Sequence, residues 1–94
     1  MPYIKQVDRA QLNAHIDRLA KEIKAIMREY SYEASFAGLL NYACTTLALK
    51  VLPSKRYWVL ALASGVFHNI ADEFYRRYAV PYEDEQIKNN GDVY

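Results

Sequence analysis

The sequence predicts an all-α fold: a three-helix antiparallel bundle with a short polar C-terminal tail, completed by oligomerisation. Three observations carry that expectation. Two stretches, Ala34 to Leu49 and Tyr57 to Ala71, hold no charged residue, and the short basic turn Lys50-Val51-Leu52-Pro53-Ser54-Lys55-Arg56 joins them. Ahead of them, Leu12, Ile16, Leu19, Ile23, Ile26 and Tyr30 recur at spacings of 4, 3, 4, 3 and 4, the period of one apolar helix face. The chain is 94 residues long and 52% hydrophobic. A domain this small buries a modest share of its surface, so that much hydrophobe calls for a partner.

Residues 1–7 are expected as a short extended lead, because Pro2 and the mixed pattern Tyr3-Ile4-Lys5-Gln6-Val7 give no helical period. Asp8 is the expected N-cap of the first helix, since its carboxylate can accept from the free amide hydrogens of the first turn. That helix is placed at about 9–30. Its 4-3 seam suits a nearly parallel neighbour in a bundle. Arg9, Asp17, Arg18, Lys21, Glu22, Lys24 and Arg28 occupy the other faces, and Arg18 with Glu22 forms a weak i,i+4 pair.

The second helix is placed at about 32–51, with Ser31 as its cap. Phe36, Leu40, Ala43, Leu47 and Val51 share one face, and Ala34, Ala37, Gly38, Ala43 and Ala48 are small enough for close approach by another helix. Pro53 stops it, because proline disfavours helix in the residue before it. Ser54 is the expected cap of a third helix at about 55–79. The first half of that helix, Tyr57 to Ala63, is apolar all round, as in a helix enclosed by neighbours. Pro81 is expected to end it. The tail, 80–94, begins with Pro81 and Glu83-Asp84-Glu85, a pattern that resembles the first turn of a short helix. Asn90-Gly91 is a turn signal. The whole, 1–94, reads as a single helical domain.

Composition narrows the function classes. The net charge is +1, which makes no case for nucleic acid. Charge is uneven, however: acidic residues dominate 80–94, where Lys88 is the sole basic group. The first thirty residues lack the apolar core of a signal peptide, and a lone Cys44 allows no internal disulfide. Cytoplasm is the expected compartment, with Cys44 as core packing. A spanning helix needs roughly 20 apolar residues. The uncharged runs are shorter and carry Ser35, Asn41, Thr45, Thr46, Ser64 and Asn69, so a membrane-associated hairpin is the weakest reading.

Three groups of residues invite chemistry. Tyr75, Arg76, Arg77 and Tyr78, followed by Tyr82, Glu83, Asp84 and Glu85, form a tyrosine-arginine stretch facing an acidic tail. Tyrosine buries area while keeping a hydroxyl for hydrogen bonding, so these eight are the interface or tail-docking candidates. Glu73 and Arg77 also pair at i,i+4. Carboxylates and a histidine form a weaker, metal-binding alternative: His68 and Asp72 at i,i+4, Glu73, and the pair Glu29 and Glu33. No Gly-rich phosphate loop is present, and no catalytic residue is assigned.

The opening Met1-Pro2-Tyr3-Ile4, the interior Leu40-Asn41-Tyr42 and the ending Glu73 to Tyr94 resemble a small uncharacterised family of bacterial, archaeal and phage genomes. Its members are short helical domains ending in a tyrosine-arginine pair, a Pro-Tyr-Glu-Asp-Glu stretch and an Asn-Gly-Asp close. The resemblance implies no activity and transfers no catalytic residue. A second, looser resemblance is to MazG-like nucleotide pyrophosphatases, helical oligomers that hold magnesium with carboxylates on facing helices. Their Glu-x-x-Glu and later Glu-x-x-Asp pattern is not present here. The expectation is therefore a non-enzymatic helical interaction or adaptor protein, a homodimer or higher homo-oligomer without cofactor. A magnesium-dependent hydrolase is the alternative.

Overall fold

A computed structural model describes residues 4–94. The expected opening signature and extended lead fall partly on residues 1–3, outside the described residues. Every regular element is helical, with no strand among the described residues. The order is α1 (Gln6–Tyr30), α2 (Ser35–Val51), α3 (Tyr57–Phe74), a π-helical turn (Tyr75–Ala79) and α4 (Val80–Asn90). The chain divides into two compact units, Met1–Lys50 and Val51–Tyr94.

In the first unit, α1 starts earlier than its cap signal suggests. Lys5 is extended, at φ −64° and ψ 151°, and its carbonyl accepts from the amides of Asp8 and Arg9 at 3.1 and 3.0 Å. Asp8 lies inside the first turn instead of capping it, where its charge favours the helix N-terminus. Ser31 also differs from expectation. It takes up the left-handed conformation, φ 63°, and closes α1 instead of opening α2. The chain re-enters helix through short turns, with Ser35, Phe36 and Ala37 donating to Tyr32, Glu33 and Ala34. α2 stops at Val51, as Pro53 requires.

In the second unit, Ser54 acts one step before α3: its hydroxyl accepts from the Arg56 amide at 3.4 Å, and the extended Arg56 is the residue that flanks the helix. The larger correction lies at Pro81. It does not end the helix. Phe74, Tyr75, Ala79 and Val80 all keep right-handed helical angles, so α3, the π turn and α4 form one continuous rod. A regular α-helix would drive the proline ring into the Arg77 carbonyl, four residues back. The wider π turn avoids this, with the Val80 amide reaching back five residues to the Tyr75 carbonyl. Pro81 then sits in the first turn of α4, with no amide hydrogen to give back to the turn before it. Most of the expected polar tail is thus helix, closed at Gly91, whose φ is 85° and whose amide donates to the Ile87 carbonyl at 2.8 Å.

Little is buried in either unit. Val59 and Ser35 are the only buried side chains among the described residues, and the Ser35 hydroxyl has no hydrogen-bond partner. The α1 seam is open, with Leu12, Ile16, Leu19 and Tyr30 exposed and Ile23 half-buried. On α2, Phe36, Leu40, Leu47 and Val51 are likewise exposed.

Candidate interaction surface

The tyrosine-arginine stretch falls on the π turn. Glu73, in the last turn of α3, holds both neighbouring arginines: Arg76 Nη2 donates to Oε1 at 2.8 Å and Arg77 Nε to Oε2 at 2.9 Å. These two hydrogen bonds hold the Glu73 carboxyl below its ordinary pKa. On the other flank the Tyr75 hydroxyl donates to the Glu83 carboxylate, and that bond, with the nearby negative charge, raises the phenol pKa. Tyr75 and Glu83 are eight residues apart. In a regular helix eight residues advance about 80° past two full turns. A π turn of about 4.4 residues advances some 18° less per residue, which brings the pair back to one face.

The same correction aligns an aromatic stripe. Ile70, Phe74, Tyr78 and Tyr82 follow one another every four residues. In an α-helix each such step drifts about 40°, or about 120° over the three. The five π residues take back about 90° of that drift. The stripe therefore runs straight along the rod. Two of its rings touch, with Phe74 and Tyr78 centroids 5.5 Å apart, and all four side chains are more than half exposed. The four-residue spacing, together with Pro81, is the sequence signal that gives the π turn away.

Of the eight interface candidates, Tyr75, Arg76, Arg77 and Tyr78 lie in the π turn and Tyr82, Glu83, Asp84 and Glu85 in α4. The metal candidates are not gathered. Glu29 and Glu33 lose their helical i,i+4 relation because Ser31 breaks the helix between them. His68, Asp72 and Glu73 lie along α3. Among the described residues no three His, Cys, Asp or Glu side chains come together as a metal site. No helix is long and apolar enough to cross a membrane among the described residues.

Comparison with known families places residues 1–93 in a group described as Domain of unknown function (DUF6899). The chain belongs to the DUF6899 family. That agrees with the uncharacterised family its ending resembles, and the DUF6899 description spans both units of the fold. No curated protein matches the chain, and no solved structure matches it.

Proposed function

We propose that this DUF6899 chain is a non-enzymatic, cytoplasmic interaction or adaptor protein. In this reading its single helical domain is completed as an antiparallel bundle by at least one further copy of itself. Exposed apolar side chains carry the argument, because a small chain is stable only when such surface is covered. Leu12, Ile16 and Leu19 on α1 and Phe36, Leu40 and Leu47 on α2 are all exposed. The exposed surface is moreover organised, as an α1 seam with the spacing of helix-to-helix packing. At Gly38 on α2 an added side-chain carbon would meet nothing within 4 Å, so that position leaves room for another helix to approach.

Light scattering on the purified chain without detergent tests the reading. A dimer or larger assembly is expected; a monomer that unfolds cooperatively would overturn it. Melting with and without magnesium addresses the hydrolase alternative. No shift is expected, and a rise in melting temperature would favour carboxylates converging on the metal.

A further inference from the structure

One flank of the aromatic stripe carries a charge pattern with a symmetry of its own. Glu73, Arg77, Pro81, Glu85 and Lys88 follow one another at spacings of 4, 4, 4 and 3. The Glu73–Arg77 ion pair fixes the first two on one side of the rod. With the π turn included, the others fall within about 60° of that line. Read along the rod, the signs are negative, positive, neutral, negative, positive. Reversed from the far end they become positive, negative, neutral, positive, negative. The flank is therefore complementary to its own antiparallel copy about Pro81.

We propose that a second copy of this chain docks antiparallel along the Ile70–Phe74–Tyr78–Tyr82 stripe, with a two-fold axis beside Pro81. Antiparallel helices related by such an axis place like flanks together, so Arg77 meets the partner's Glu85 and Glu73 meets the partner's Lys88. Tyr78 then stacks against the partner's Tyr82. A parallel pair would instead set this flank against the opposite flank of the partner, so its self-complementary charges would not meet. The interface is isologous: one patch serves both subunits, as closed dimers require. Pro81 has no amide hydrogen and no long side chain, so it suits the closest approach of two rods at the axis. The π turn is the device that makes this possible. Without it Tyr82 and Glu85 would turn about 90° away from Phe74 and Glu73. This inference rests on the reading that a second copy completes the fold, and it names the surface involved.

Charge exchange in the full-length chain provides the test. Arg77→Glu and Glu85→Arg, made separately, should each weaken self-association at least tenfold, because each places like charges opposite one another twice per dimer. The double variant Arg77→Glu/Glu85→Arg should recover the wild-type mass in sedimentation, and so should an equimolar mixture of the two single variants, whose heterodimer sets opposite charges together at both 77–85 contacts. Unchanged association of both single variants would overturn the proposal. So would weakening by Arg77→Glu that Glu85→Arg cannot rescue, since that would trace the loss to the intrachain Glu73 contact. Either result with an oligomeric wild type leaves the homo-oligomer standing on another surface; a monomeric wild type removes both.

Discussion

Two junctions in this molecule treat the helix in opposite ways: one breaks it as the sequence suggests, the other carries it past a proline that should end it. Between α1 and α2 there is no proline, yet the helix ends at Tyr30 and Ser31 turns left-handed. Between α3 and α4 stands Pro81, yet the rod continues. Proline breaks a helix through a missing amide hydrogen and a clash with one carbonyl. The clash is local and is relieved if the preceding turn widens by one residue, leaving only the lost hydrogen bond. A left-handed residue has no such escape, because it reverses the sense of the backbone itself. Which residue stops a helix thus depends on whether the turn before it can adjust. The two halves also differ in how they present apolar surface: α1 keeps a 3.5-residue seam by sequence alone, whereas the rod needs a backbone irregularity to keep its stripe straight.

The largest effect separating the halves is expected at the α1 seam. Leu19→Glu places a charge mid-seam and, in the homo-oligomer proposed above, removes a side chain whose burial between copies would be worth about 1.5–3 kcal/mol per chain. Measured at fixed protein concentration, the melting temperature should fall by about 10 °C or more, and the mass in solution should fall from that of the proposed oligomer. Leu19→Met, similar in volume, should keep both. Equal melting for Leu19→Glu and wild type would show that the seam faces solvent in the working protein.

Pro81→Ala probes the other half. With the ring gone, the π turn is free to become regular α-helix, which turns α4 by about 90°. Total helicity by circular dichroism should stay the same or rise. The Tyr75–Glu83 bond should break, and the Tyr75 phenol should titrate lower, in the ordinary tyrosine range. An unmoved Tyr75 titration would mean that the π turn is held by something other than the proline.

Much of this was legible in the sequence, and the parts that were not share a cause. The uncharged runs, the 4-3 seam and Pro53 gave three of the helices, because burial period and proline stops act over a few residues. Asp8, Ser31 and Ser54 were read as caps from residue type alone, but a backbone carbonyl or a left-handed angle did the work at the first two positions. The carbonyl of Lys5 took over from the side chain of Asp8. The eight candidates from Tyr75 to Glu85 do lie on one helical rod, but the partner of both arginines is Glu73 and it is Tyr75 that reaches Glu83. The Tyr75–Glu83 pairing depends on the π turn, for which a residue-by-residue proline rule has no place, whereas Glu73 with Arg77 follows from ordinary i,i+4 spacing.

A smaller effect is expected at the first junction. Ser31 pays a steric cost for its left-handed angle that glycine would not. Ser31→Gly should stabilise the chain by about 0.5–1 kcal/mol, a rise of a few degrees in melting. Ser31→Val, β-branched and poorly suited to positive φ, should lower it. If glycine gives no gain, the hydroxyl of Ser31 contributes to the turn as much as the conformation costs.

The smallest effects are in pH, and they report the two flanks of the π turn separately. Glu73 has a depressed folded pKa because Arg76 and Arg77 hydrogen-bond its carboxylate. Its contribution to stability is therefore present above the ordinary carboxylate range and is lost as pH falls through the depressed value. Tyr75 is the opposite case. Its folded pKa is raised by the bond to Glu83, so its contribution is present below the ordinary phenol range and is lost as pH rises through the raised value. Both groups are solvent-accessible, so each slope should be slight and should shrink in high salt. Glu73→Gln should flatten only the acid limb, and Glu83→Gln only the alkaline limb. Pro81→Ala should imitate Glu83→Gln while leaving the acid limb intact, because the spacing of Glu73 from Arg76 and Arg77 suits an ordinary α-helix as well. Loss of both limbs in Pro81→Ala would mean that the arginine flank, too, is built by the π turn.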